Sequence, residues 1–310
     1  MNPRILVTGY ESPDLDAVAC LLAYSELLQY EGKDAVGATF GTPHREAQFV
    51  LDRLDLTVPA TEELSDYDEV RLVDASDRRG ISNEIDPDAV TEVIDHREAH
   101  NPEAFPNATL QVELVGAAAT LVAERYREAG APLTDKLANV LYAAIVSNTL
   151  DLRANVTTDR DEAVVAWLQR SADVSQEITD QMFKHKSRVG DESLRSIFDS
   201  DFASISVSGT DIGIVQLEIL AVDDFVDSHQ VEIVETLNSM CNARGLDHIL
   251  LIGVDLKGRF DVLVTDSSLL QRSLTEALDT SFSGDVAVTN EPILRKELIP
   301  RLSREMATPE

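Results

Sequence analysis

Ile5-Leu6-Val7-Thr8-Gly9-Tyr10-Glu11-Ser12-Pro13-Asp14-Leu15-Asp16-Ala17 carries an apolar strand directly into two carboxylates at i and i+2. Beyond Pro13, the run Ala17-Val18-Ala19-Cys20-Leu21-Leu22-Ala23-Tyr24 has helical periodicity, so the Asp-x-Asp falls where a strand turns into a helix. In open α/β sheets ligands gather at such strand ends. On these residues alone a second reading weighs the same: Asp14 and Asp16 as helix caps, since Asp is favoured at helix N-termini.

Three further segments tip the balance. Arg71-Leu72-Val73-Asp74 ends an apolar run on a carboxylate, and Val90-Thr91-Glu92-Val93-Ile94-Asp95-His96-Arg97 ends another on Asp-His-Arg. Tyr142 to Asp151 is an apolar helix closing on the small polar residues Ser147, Asn148 and Thr149. Hard oxygen donors and an imidazole, delivered from successive strand ends, describe a site for Mn2+ or Mg2+ rather than for a thiol-seeking metal. Apolar β-rich runs at 5–8, 35–40, 70–73 and 90–94 alternate with helical ones, which predicts an α/β fold with a parallel sheet covered by helices on both faces. From 117 to about 186 the pattern is mainly helical, and the basic break at 184–190 reads as a linker. Past it come a hairpin at 202–219 turning at Ser208-Gly209-Thr210-Asp211, a helix over 224–244, strands at 248–255 and 259–265, a helix over 267–278 and a last strand at 286–289. Two domains are expected, 1–186 and a smaller mixed α/β unit over 187–310.

Taken together, these motifs resemble the DHH phosphoesterase superfamily, and within it the manganese-dependent (family II) inorganic pyrophosphatases and the Prune-type short-chain exopolyphosphatases. Val115-Gly116-Ala117-Ala118-Ala119-Thr120 is similar to the helix start after that family's third motif, and Thr157-Thr158-Asp159-Arg160-Asp161 to the Thr-x-x-Asp after its fourth. Leu294-Arg295-Lys296-Glu297 resembles the phosphate-gripping motif of a C-terminal DHHA2 domain. The resemblance implies a DHH domain followed by a DHHA2-like domain, with the active site in the cleft between them. It also implies one or two Mn2+ or Mg2+ ions on Asp14, Asp16, Asp74, His96 and Asn148, with Asp74 as the bridge. Asp14, Asp74 and His96 would be catalytic, and Arg97, Arg295 and Lys296 would bind a small polyanionic phosphate substrate. The implied activity is hydrolysis of pyrophosphate or short polyphosphate by metal-activated water. Two alternatives stand beside it: a weakened or non-catalytic phosphate-binding relative, and a phosphodiesterase acting on small nucleotides. The chain departs from the pyrophosphatase pattern at four places: Tyr10 and Arg97 stand for histidines, Asn148 for an aspartate and Ala203 for a lysine. Asp95 is expected to orient His96, Ser147 and Thr149 to bond locally, and His100 to be a loop residue. Asp151 and Arg153 are candidates to compensate for Asn148.

Composition narrows the partners. The formal net charge is −30, with 56 acidic residues against 26 basic, and of the basic ones twenty are Arg and six Lys. Such a chain repels nucleic-acid backbones, so extended nucleic acid is excluded as a partner. An acidic, Lys-poor surface suits a halophilic cytoplasm, where salt screens self-repulsion. Two cysteines, Cys20 and Cys241, exclude a disulfide framework, and no apolar run is long enough for a membrane span. The expected location is cytoplasmic, and a homodimer is compatible with it.

Overall fold

The computed structural model describes residues 3–61, 64–97, 102–187, 193–258 and 260–307. The chain divides into two compact units, 1–152 with 156–182, and 153–155 with 183–310. The predicted linker begins in helix and runs into residues outside the described ones, as do His100 and Arg259.

The first unit opens with strand β1 (Arg4–Thr8), helix α1 (Leu15–Tyr30), strand β2 (Asp34–Gly37), helix α2 (Arg45–Leu54), and strands β3 (Glu69–Val73), β4 (Val90–Asp95) and β5 (Thr109–Val112). Helices α3 (Ala118–Ala129), α4 (Asp135–Asn148) and α5 (Asp159–Ser171) follow, and α6 (Gln176–Lys186) runs across the change of unit. All five strands pair in parallel, in the order β2-β1-β3-β4-β5. Because β1 lies between β2 and β3, Ile5, Leu6 and Val7 are buried and the strand reads as an unbroken apolar run. Helix α1 packs on α3 and α4 and is buried nearly all round, which is why its sequence lacks a polar face. A separate cluster joins Leu6, Val70, Leu72, Val90 and Val93 to Ile81, Ile85 and Phe105 of the connecting segments, where the described helices are single 3-10 turns at Leu64–Asp66, Pro87–Ala89 and Pro102–Ala104. The sequence expectation missed β5, whose residues are at most half-buried because it is an edge strand. The expected strand 35–40 stops at Gly37, with only a bridge from Thr39 to Ala60 beyond it.

After β1 the chain crosses to β2 on one side, then returns to β3 on the other. The order therefore reverses between β1 and β3, and the crevice at their C-terminal ends is the switch point at which α/β sheets bind ligands.

The second unit contains α7 (Leu194–Ser200), β6 (Phe202–Val207), β7 (Thr210–Ile219), α8 (Val222–Arg244), β8 (His248–Asp255), β9 (Asp261–Val264), α9 (Ser268–Leu278), β10 (Phe282–Ser283), β11 (Val286–Val288) and α10 (Arg295–Ala307). The sheet is mixed, ordered β10-β11-β9-β8-β7-β6, with only β7 and β8 parallel, the pair that α8 connects. Ser208 and Gly209 both take positive φ, 52° and 83°, the combination that a two-residue hairpin turn matching the strand twist requires. The turn is thus tighter than the four residues expected from sequence.

Candidate metal centre

The two residues of the Asp-x-Asp face different ways. Asp14 is the N-cap of α1, its Oδ1 accepting from the Ala17 amide at 3.0 Å. Asp16, two positions on, turns into the protein and is buried. Its Oδ2 accepts from the Ala118 amide at 2.8 Å and its Oδ1 from the Ala119 amide at 2.8 Å, both at the N-terminus of α3. The Asn148 side-chain amide, from the last residue of α4, donates to Oδ2 at 2.7 Å. Oriented amides and a helix N-terminus suit a carboxylate. Even so, burial first and the neighbouring Asp74 second push the Asp16 carboxyl up to about 7, with His96 opposing.

Asp74 follows β3 with φ at 52°, in the left-handed region that Asp tolerates better than most residues. Its amide donates to the Ile94 carbonyl at 2.8 Å, which fixes the turn against β4 and leaves the carboxylate buried beside Asp16. His96 follows β4, its backbone amide donating to Asp95 Oδ1 at 2.7 Å. His96 Nδ1 lies 3.0 Å from the Val115 carbonyl oxygen. A carbonyl only accepts, so Nδ1 carries the proton, and in the neutral ring the Nε2 lone pair points the other way. There it faces Asp74 Oδ1 at 3.4 Å and Asp16 Oδ2 at 3.8 Å. One donor atom from each of Asp16, Asp74 and His96 lies within 4.8 Å of the others, all three buried. Two carboxyl groups and the Nε2 of an imidazole, converging on one point, make a donor set that fits a hard or borderline dication.

Among the described residues no other such group occurs, and Asp14 is not a member of this one. Asn148 stands beside it as a hydrogen-bond donor to Asp16. Arg97 Nη1 donates to the Tyr10 hydroxyl at 2.7 Å, and its guanidinium carbon lies 4.7 Å from the centroid of the Tyr10 ring. Burial raises the Tyr10 hydroxyl well above its ordinary value, with Arg97 opposing. Asp95, fully buried, accepts from the His96 backbone amide and lies 3.7 Å from Arg97 Nε, so its recorded contact with His96 is to the main chain, whereas the ring is held by Val115. Thr149 does bond locally, donating to the Ile145 carbonyl at 2.6 Å, whereas Ser147 reaches across to Glu46 on α2. Arg153 donates to the Leu256 carbonyl. Arg295, in the second unit, pairs with Asp201 at 2.7 Å and its backbone amide donates to Gln216 at 2.7 Å; Lys296 is exposed.

Sequence reasoning missed the supports of the site. Val115 O, Ala118 N and Ala119 N are backbone groups with no side-chain signature. Asp161, buried, accepts from Gly116 N at 2.9 Å, Thr120 Oγ1 at 2.5 Å, and Thr158 N and Oγ1 at 2.7 and 2.6 Å. The 115–120 and 157–161 motifs are thus one structure. A Cβ on Gly116 would stand 2.4 Å from Thr149 Cγ2, so only glycine fits.

Residues 4–145 match the DHH family, N-terminal domain, and residues 180–304 match the DHHA2 domain. A protein of Streptococcus thermophilus named probable manganese-dependent inorganic pyrophosphatase is 27% identical over 311 residues, covering 97% of this chain and 98% of its own. A protein of the same name from Clostridium acetobutylicum is 27% identical over 258 residues, 83% of each chain. Among solved structures, a Methanococcus jannaschii protein provisionally named family II inorganic pyrophosphatase superposes with a TM-score of 0.75 at 25% identity, covering 98% of this chain and all of its own. An exopolyphosphatase-related protein from Bacteroides fragilis shares the fold, with a TM-score of 0.52 at 11% identity over 98% of this chain and 92% of its own. The chain thus carries a DHH-family N-terminal domain over residues 4–145 followed by a DHHA2 domain over residues 180–304.

Proposed function

We propose that this chain is a divalent-metal-dependent phosphoanhydride hydrolase whose substrate is pyrophosphate, with short polyphosphate as the next candidate. The observation that carries the reading is the convergence of Asp16, Asp74 and His96 at the β1/β3 switch point, with the His96 lone pair turned toward both carboxylates. The names of the full-length relatives support manganese as the ion and pyrophosphate as the substrate. Asp16, Asp74 and His96 would hold the ion, which when bound supplies Lewis acidity toward a phosphoryl oxygen and a more acidic water. Asp16 is held by the Ala118, Ala119 and Asn148 amides and the Cys20 thiol, and Val115 fixes the His96 ring, so the site is ordered by its own surroundings. Arg97, 40% exposed along its side chain, offers a guanidinium to phosphate oxygens, and Arg295 and Lys296 are proposed as further phosphate contacts. We assign the catalytic role to residues 1–186 and substrate binding to 187–310. The net charge of −30 with only six Lys supports a high-salt working environment.

Asn148 and Tyr10, which offer the centre no anionic donor, favour a second reading as a phosphate binder with little turnover. Phosphate release separates the two. The purified protein with Mn2+ should liberate phosphate from pyrophosphate. Asp74→Asn keeps a residue that tolerates positive φ while removing the charge, so it should lose at least about 100-fold in turnover along with its Mn2+ affinity. Wild-type ion content and turnover in that variant would refute the assigned centre.

A further inference from the structure

The centre has more negative charge than its three donors account for. Asp14 lies at the head of α1 and Asp95 at the end of β4, beside Asp16 and Asp74, so four carboxylates share this end of the sheet. Among the described residues only Asp16, Asp74 and His96 form a donor group. Among the described residues no His, Cys, Asp or Glu completes a set with Asp14 and Asp74, and Tyr10, on the segment between β1 and α1, has its hydroxyl accepting from Arg97. The positive charge facing Asp74, Asp95 and Asp14 is instead Arg97, within electrostatic reach of all three. Its guanidinium is built in rather than waving in solvent, lying over the Tyr10 ring, bonded to the Tyr10 hydroxyl and close to Asp95 Oδ1. Gly80 frames the other side of the ring: at φ 81° its carbonyl receives the Glu11 amide at 2.8 Å, and a Cβ there would stand 3.1 Å from Tyr10 Cδ1.

We propose that the centre binds one divalent ion, on Asp16, Asp74 and His96, and that Arg97, clamped by Tyr10, is the second cation of the site. In that place it offsets the surplus carboxylates and binds the phosphate that the ion also meets. The inference rests on the hydrolase reading. It deepens that reading by giving Tyr10 and Arg97 a joint role, since the ring positions the guanidinium and the guanidinium supplies the charge.

The test is calorimetric titration of the metal-stripped protein, first with Mn2+ and then, in the Mn2+-loaded state, with inorganic phosphate. Wild type should bind one Mn2+ per chain at the tight site. Arg97→Gln removes a like charge beside the ion, so Mn2+ affinity should rise by roughly three- to tenfold. Phosphate affinity should fall by roughly ten- to a hundredfold, the scale of a lost charged hydrogen-bonding group. That opposition is the signature, because a residue that merely holds the fold would lower both. Arg97→Lys keeps the charge without the planar fork, and should bind Mn2+ as wild type does while holding phosphate between the two. Tyr10→Phe should weaken phosphate binding and leave the Mn2+ count at one. Two tight ions per wild-type chain would overturn the inference and leave the hydrolase reading standing. No bound ion would remove the centre and the inference together, and a parallel fall of both affinities in Arg97→Gln would reduce Arg97 to structural support.

Discussion

Asp16 is a buried carboxylate held by four donors, three amides and the Cys20 thiol, and pressed by a second carboxylate, and this tension can be measured. Its folded-state pKa of about 7, against an ordinary 3.8, means that the folded protein binds this proton more tightly than the unfolded chain does. Its stabilising contribution is therefore complete below about pH 4 and is lost as pH rises toward 7. Asp261, buried in the second unit with Oδ1 unpaired, follows the same sign, burial raising it to about 8. The metal-free protein should thus melt at progressively lower temperature between pH 5 and 8. Saturating Mn2+ should remove the share due to Asp16 and leave that of Asp261, so the profile flattens only in part. Thermal melts with chelator and with Mn2+ check this, and a chelated protein with a level profile would refute it. Asn148 supplies a second residue-scale prediction. Replacing its amide by a carboxylate sets two anions in contact where a 2.7 Å hydrogen bond stood. Asn148→Asp should lower the metal-free melting temperature, raise Mn2+ affinity and leave the loaded protein near wild-type stability. Titration and melting of the same sample measure both changes, and an unaltered metal-free melt would mean that the Asn148 side chain does not face Asp16.

At the scale of elements, the segment leading into α3 sets the centre. Residues 115–119 give one carbonyl to His96 and two amides to Asp16, and Asp161, at the start of α5, ties the same segment down through Gly116 and Thr120. Asp161→Ala leaves four donors, the two on Gly116 and Thr120 buried, without their carboxylate, so it should cost about 3–5 kcal/mol of stability, as broken buried charged networks do. It should also weaken Mn2+ binding at least about tenfold without touching a donor to the ion, as losses behind metal ligands do. Denaturant unfolding and Mn2+ titration test this, and wild-type affinity in a destabilised variant would confine Asp161 to folding. This element also marks where the sequence stopped being legible. Strands β1, β3 and β4 stand out because each is an apolar run with acidic residues after it or at its end, which also pointed to Asp16, Asp74 and His96. Strand β5 did not stand out, since a half-buried edge of four residues has no apolar run to see. Nor could Val115, Ala118 or Ala119 be assigned, because a carbonyl and two amides are present at any residue. The pairing of Tyr10 with Arg97 escaped as well: 87 positions separate them, and only the parallel sheet order brings them together.

For the whole molecule, charge is the dominant fact. With a formal charge of −30, the folded state suffers repulsion that salt relieves, as the screening length falls from roughly 10 Å at 0.1 M to roughly 3 Å at 1 M. The melting temperature should therefore climb by several degrees between those concentrations with sodium chloride, in chelator and in Mn2+ alike. A melt that is flat or falls with salt would tell against a high-salt habitat. The Asp161 tether carries a different kind of consequence, for where this chain can be cut or spliced. Every side chain proposed to hold the ion is already in place by residue 96, and Asn148, which donates to Asp16, ends α4, yet the clasp that seats them arrives only at residue 161. A polypeptide released by a protease at the turn after Asn148, or exchanged there between relatives, would keep the whole set of donors and lose the means of aligning them. The smallest inheritable unit of this metal centre is therefore longer than the stretch that contains its ligands, and it closes at α5.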